Sequence, residues 1–329
     1  MTSRFLAHAK VRVPLVCGAM YPCSNPALLG AVAQAGALAV VQPLSLVFAH
    51  RVDLRATLRE LVQAQGDGAI GFNAIVEKSS QVYEDRMRAY IDIALEEGVR
   101  FFVTALGNPR WVVDRVEAVG GVVYHDVTKR KWAERALEAG VRGLLCVNRE
   151  AGGHAGTLSQ EALWESLHDL GVPLLAAGGL GDARAMLGAL ARGYEGVQLG
   201  TRFIATHECS AHDDYKRAIV AARAEDIVLT ERISGVPVSV IRTPYVQRVG
   251  TKAGPIARRL LQHPKWKHWV RTAYSARSLW KLARGATKDG GYNDYWQAGR
   301  SVEGIEAVVP AAQVVEHFEA AWLASQGRA

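Results

Sequence analysis

Residue types able to do chemistry gather in a few glycine-framed stretches of this chain. The first is Arg149-Glu150-Ala151-Gly152-Gly153-His154-Ala155-Gly156, directly after the apolar run VRGLLCV (141–147). An imidazole titrates near neutrality, so His154 suits a general acid, a general base or a hydrogen-bond donor to a developing anion. The competing reading is a histidine that satisfies carbonyls of its own loop. Glu150 reads equally as a carboxylate supporting the histidine or as a loop cap. Two further stretches carry Gly178-Gly179, at the end of VPLLAAGG (172–179), and Gln198-Leu199-Gly200-Thr201. A glycine has no Cβ, so its N–H can approach a phosphate closely, and a following helix start adds a favourable dipole. Thr201 brings a hydroxyl donor. Alternatively, these glycines only make short turns. Asn73 is a polar amide inside AIGFNAI (69–75), so it needs partners on a ligand edge or on neighbouring backbone. Met20, in GAMYPCSNP (18–26), is either core filler or a residue facing a ligand.

Such residues act together only if a scaffold brings the ends of several strands to one place. Strand-like apolar runs lie at 13–17, 38–42, 69–75, 99–106, 121–127, 141–147, 172–179 and 194–201. Segments with helical spacing follow at 25–36, 53–65, 80–98, 109–120, 129–140, 159–171, 182–193 and 211–224. Gly98, Gly120, Gly140, Gly171 and Gly193 stand just before the next strand, where left-handed helix caps are expected. The last three strands show little alternation, as when both faces of a parallel sheet are buried. Eight such units predict an α/β chain, a (β/α)8 TIM barrel, with a doubly wound open sheet as the competitor. In these barrels reactive groups sit at the carboxyl ends of the strands, and phosphates bind after strands 7 and 8. His154, Gly178, Gly179, Gly200 and Thr201 all fall there.

The expected organisation is a barrel over 1–230, a basic, aromatic, mostly helical lid or small domain over 231–300, and a helix within 301–329 that packs back on the barrel. The net charge of +7 is uneven: residues 233–288 contain no Asp or Glu and twelve Lys or Arg. Arg258, Arg259, Lys265, Lys267, Arg271, Arg277, Lys281, Arg284 and Lys288 alternate there with Trp266, Trp269, Tyr274 and Trp280. That segment is a solvated helix pair, or a lid meeting an acidic acyl carrier protein or the phosphates of CoA or NAD(P)H. Nucleic-acid binding is not expected, because no nucleic-acid fold accompanies the basic run. Cys17, Cys23, Cys146 and Cys209 lack zinc-type spacing and read as reduced structural thiols, with no metal site. No apolar run reaches the roughly 18 residues that span a bilayer. The first residues lack the apolar core of a secretory signal, so a cytoplasmic location without membrane attachment is expected.

Taken together, EAGGHAG (150–156), AAGGLGDARAMLGALARGYEGVQLGTRF (176–203) and THECSAHDDYK (206–216) resemble the nitronate monooxygenase (2-nitropropane dioxygenase) family of FMN-dependent barrels. The flavin-dependent enoyl-acyl-carrier-protein reductases belong to the same group. The resemblance covers most of 1–225 and returns at 295–315. It implies FMN across the strand ends, with its phosphate at Gly179 and at Gln198, Leu199, Gly200 and Thr201, beside Gly178. It places the flavin ring at Ala19, Met20 and Asn73, packs Gly152 and Gly153 close to the cofactor, and makes His154 the active-site histidine. It departs from the family at Val147-Asn148, where Gln-Gly is common, and at Ala19, where Pro is usual. The implied activity is oxidation of alkyl nitronates with O2. The alternative is NAD(P)H-dependent reduction of an enoyl thioester, on acyl carrier protein or CoA, or of a quinone. A third reading is a non-catalytic flavin- or phosphate-binding barrel.

Overall fold

The runs rich in Val, Leu and Ala form eight parallel strands. They are β1 (Leu15–Cys17), β2 (Leu38–Val41), β3 (Ala69–Val76), β4 (Phe101–Leu106), β5 (Val122–Val127), β6 (Gly143–Val147), β7 (Leu174–Ala177) and β8 (Gly196–Leu199). Each pairs with the next, and β8 returns to β1 with Leu15 opposite Val197 and Cys17 opposite Leu199, which closes the barrel. The computed structural model describes residues 3–77, 81–233, 236–252 and 295–327. The charged and aromatic positions from Arg258 to Lys288 therefore lie outside the described residues, as does the helical character expected of them.

Helix α1 (Arg4–Ala9) precedes the barrel, and α2 (Pro26–Gln34), α3 (Leu54–Gln63), α4 (Gln81–Glu96), α5 (Arg110–Glu117), α6 (Arg130–Glu138), α7 (Gln160–Leu167) and α8 (Ala183–Arg192) follow successive strands. Asp53, Ser159 and Asp182 start α3, α7 and α8 by accepting N–H bonds three residues on. The five glycines expected as helix stops all have positive φ, between 72° and 114°. After β8 come the short α9 (Thr201–Ile204) and then α10 (Asp213–Ala221).

Side chains inside a closed barrel alternate with those facing the helices. Val16, Leu38, Val40, Phe101, Val103, Tyr124, Leu145 and Leu175 fill the interior. Helix α1, unforeseen in the sequence, stoppers the amino-terminal end of the barrel. Its Phe5 is fully buried and meets Phe101 edge-on, with ring centroids 6.0 Å apart. Arg4 binds Glu195 beside it. Among the described residues, the cavity that reaches the interior opens at the carboxyl ends of the strands.

The region expected to be irregular or helical after residue 230 begins instead as an antiparallel hairpin. Strand β9 (Ile227–Thr230) pairs with β10 (Val238–Ile241), straddling the expected junction at 230–231. IVLT and VSVI are short β-branched runs whose outlets are pairing with each other and packing of Val238 and Val240 against Val246. Helix α11 (Pro244–Val249) follows. The last helix, α12 (Ala311–Ser325), lies against α2 and α8, and Arg12 pairs with Glu319 at 2.6 Å. The four cysteines are buried and free.

Candidate active site

A cavity of about 1490 Å³ opens at the carboxyl ends of the strands. Ala19, Met20, Asn73, Gly152, Gly153, His154, Gly178, Gly179, Gln198, Leu199, Gly200 and Thr201 all line it. The topology thus brings every candidate site residue to one place, although they are spread over 180 positions of sequence.

The floor of the cavity is polar. Asn73 is nearly fully buried on β3, and its side-chain amide has no hydrogen-bond partner among the described residues. The Gln198 side chain from β8 lies over Gly18, where a Cβ would stand 2.9 Å from the amide carbon. Gln42, just past β2, accepts the Leu44 N–H at 3.1 Å. Sequence reasoning missed the fourth floor residue, Asp126 on β5. It follows the interior residue Tyr124 by two positions and so shares its inward face. Its Oδ1 is shut off from solvent without a partner, and burial pushes its pKa up to about 7. Period-two alternation from Tyr124 was the signal that could have found it. Its neighbour His125 turns the other way, toward Thr104 Oγ1 at 2.8 Å, and burial drives its pKa down to about 4.

The loop after β6 carries His154. Asn148 organises this loop: its side-chain NH2 donates to the Gly178 carbonyl at 2.9 Å, and its Oδ1 accepts the Glu150 N–H at 2.8 Å. The Gly156 N–H returns to the Asn148 carbonyl at 3.1 Å. Asn148 therefore ties the β6 loop to the β7 loop, while Val147 faces the cavity. His154 is accessible from the open cavity yet surrounded by protein on most sides, and that enclosure lowers its pKa below the usual 6.5. At pH 7 the neutral imidazole dominates.

A strap formed by residues 295–300 crosses this loop. The Ser239 N–H donates to the Gly153 carbonyl at 2.9 Å, and the Ile241 N–H to the Trp296 carbonyl at 2.8 Å. The Arg300 N–H reaches the Glu150 carbonyl at 2.9 Å, and the Gly299 N–H reaches Thr201 Oγ1 at 3.0 Å. Tyr215 from α10 stacks on Trp296 and donates its hydroxyl hydrogen to the Gln297 carbonyl. Gly152 is needed here: a Cβ would lie 2.9 Å from the Gly299 nitrogen. The close approach that this glycine allows is to the strap, a reason the sequence did not supply. Thr201 accepts from Gly299, which leaves its own hydroxyl hydrogen for a ligand.

Gly178 and Gly179, after β7, have φ of +112° and +76°. Their N–H groups and that of Gly200 donate to no backbone carbonyl among the described residues. Glu150 turns out to lie against Gly179, where a Cβ would stand 2.5 Å from its Oε2. Arg202, one residue past Thr201, is buried and holds the carbonyls of Ala205 and Ala307 at 2.6 and 2.8 Å. Burial lowers its pKa to about 10. It anchors the chain between strap and α12. Replacing it by Met should cost about 3 kcal/mol of stability, measured by denaturant unfolding, because two charge-assisted bonds are lost and two carbonyls are stranded.

On one flank the cavity continues past Leu106 and Trp132, both exposed, to Arg110 and Arg135. The Arg135 guanidinium stands 5.2 Å from the Trp132 ring centroid. Among the described residues no group of three His, Cys, Asp or Glu could hold a metal ion, and no helix is long and apolar enough to cross a membrane.

A sealed eight-stranded barrel with a polar-floored cavity at its strand ends defines a (β/α)8-barrel enzyme. The comparisons narrow the class. The nitronate monooxygenase family model matches residues 2–319, and the chain belongs to that family of oxidoreductases. A Mycobacterium tuberculosis (3aS,4S,5R,7aS)-5-hydroxy-7a-methyl-1-oxo-octahydro-1H-indene-4-carboxyl-CoA dehydrogenase is 29% identical, over 77% of this chain and 70% of that protein. A Pseudomonas aeruginosa nitronate monooxygenase is also 29% identical, over 71% and 78%. The solved structure of FabK from Thermotoga maritima superposes with a TM-score of 0.81 at 26% identity, covering 100% of this chain and 98% of that one.

Proposed function

We propose that the chain is an FMN-dependent oxidoreductase whose substrate is an enoyl thioester of CoA or an acyl carrier protein, with NAD(P)H as reductant. The residues present fit the cofactor. Among the described residues the Asn73 amide has no hydrogen-bond partner, and the Gly178, Gly179 and Gly200 N–H groups donate to no backbone carbonyl. Gly179, Gly200 and Thr201 would hold the phosphate, and Ala19, Met20 and Asn73 the ring. Bound there, FMN supplies hydride chemistry. His154, neutral at pH 7, would donate a hydrogen bond to the substrate oxygen that gains charge or carry the proton that completes the reaction. The strap would keep water from that side of the site.

The observation that carries the thioester reading is the extent of the cavity. Its volume exceeds the ~300–1,000 Å³ usual for one small ligand, and it runs on to Trp132 and Arg135. A cofactor and a long, phosphate-bearing substrate both have room, and the Mycobacterium relative is itself named for a CoA ester. The acid-free segment 233–288 would add attraction for CoA phosphates or an acidic carrier. Family membership favours a second reading, oxidation of alkyl nitronates with O2.

One anaerobic experiment separates the two. Bleaching of the flavin band by NAD(P)H and its return with an enoyl thioester supports the first. Bleaching by an alkyl nitronate alone, with no response to NAD(P)H, supports the second and removes the first. A purified protein that takes up no flavin removes both and restores the reading of a phosphate-binding barrel.

A further inference from the structure

The floor of the cavity holds a carboxyl that neither the fold nor the cofactor contacts above account for. Asp126 projects inward from β5, level with Leu145 on β6, and lines the cavity. Its Oδ1 is buried without a hydrogen-bond partner. An ionised carboxylate left in that state costs several kcal/mol unless a cation or several donors hold it. Among the described residues no charged side chain holds it; burial alone sets its behaviour. The ionisable group coupled to it from β6 is Cys146, a buried thiol pushed upward by burial and by Asp126. From β4, Thr104 faces outward and engages His125, the other titratable group nearby on β5. The carboxyl therefore lacks a protein partner on its buried side while the residue lines the cavity, which leaves a ligand atom as the partner available to it.

We propose that the Asp126 carboxyl is a hydrogen-bond donor to the bound cofactor, meeting an acceptor atom on the pyrimidine edge of the flavin ring. This deepens the FMN reading above and rests on it. The protonated carboxyl is the cheaper form in this setting and offers one O–H donor, whereas the ionised form offers only acceptors. A flavin's pyrimidine edge carries carbonyl oxygens and a ring nitrogen that need donors. Asn73 reaches the same floor from β3, so the two residues would grip that edge from different strands. The pKa near 7 follows from the same burial and predicts when the donor is lost.

The sign is definite. Raising the pH above about 7 ionises Asp126, removes the donor and sets a negative charge against ring oxygens. Affinity should therefore fall as pH rises.

The test measures riboflavin dissociation constants by fluorescence quenching between about pH 6 and about pH 8.5, since riboflavin has no phosphate to titrate. The wild-type constant should weaken about tenfold or more across this range. Asp126→Asn keeps a donor without the charge, so its constant should be flat and close to the wild-type value at pH 6. Asp126→Ala should be flat and weaker. His154 titrates in all three proteins and so cancels in the comparison. A flat wild-type profile overturns the assignment without any variant having to fold. The wild-type slope persisting in Asp126→Asn overturns it as well. Binding of neither FMN nor riboflavin at any pH overturns the cofactor reading itself, and with it this one.

Discussion

His154→Ala should retain the cofactor and lose turnover by about 100-fold or more, the usual worth of a positioned acid–base group. The loop around His154 is held by several contacts besides any the imidazole makes. It is fastened by Asn148 to the Gly178 carbonyl, by Ser239 to the Gly153 carbonyl and by Arg300 to the Glu150 carbonyl. Removing the ring should therefore leave backbone and cavity in place, and cofactor uptake should match wild type. The pH profile gives an independent arm. Because enclosure lowers the His154 pKa, the neutral imidazole persists below pH 6.5 and is lost only as the pH falls through that lowered value. The wild-type kcat/KM should show an acid limb with a midpoint below 6.5, and the alanine variant should lack it. Turnover equal to wild type would remove His154 from the chemistry.

Gly178→Ala should have the largest effect on the protein itself. At φ +112° an L-residue is strained before any contact is considered. A Cβ there would also stand 2.4 Å from Asn148 Oδ1 and 2.6 Å from the Ala151 nitrogen. Neither neighbour is a loose end: Asn148 is buried and bonded at both ends of its amide. Strain and overpacking together should cost about 3 kcal/mol or more. Relief would come by driving the β6 and β7 loops apart, which displaces His154 and the glycines after β7 together. Thermal unfolding and FMN titration should both report the loss. Gly188→Ala is the matched control, because a Cβ at that position in α8 meets nothing within 4 Å. It should bind FMN as wild type does.

Much of the barrel was legible because its signals are local. Each strand is a short β-branched or leucine-rich run, and five helices stop at glycines that the structure places at positive φ, as at Gly98 and Gly193. The glycine-framed loops were legible for the same reason. What could not be read depends on contacts between distant residues. Helix α1 looks like any short amphipathic start until Phe5 is seen under Phe101 and Tyr124. Gly152 looks like a ligand glycine until the strap is seen above it. Strands β9 and β10 were masked by the basic composition that follows them. Asp126 was hidden differently: within VVYHDV its polarity reads as a strand end, and only knowing which face is interior turns it into a cavity residue.

The strap has a consequence for how the protein matures. Its partners, Glu150 and Thr201, lie roughly a hundred to a hundred and fifty residues upstream of Gly299 and Arg300. Contacts at such separation close late, and on the ribosome the amino-terminal units emerge and fold first. A nascent chain can thus complete all eight strands while the loops at their carboxyl ends still lack their clasp. Fastening of the mouth would then follow closure of the barrel, once residues 295–300 are free to reach the β6 loop.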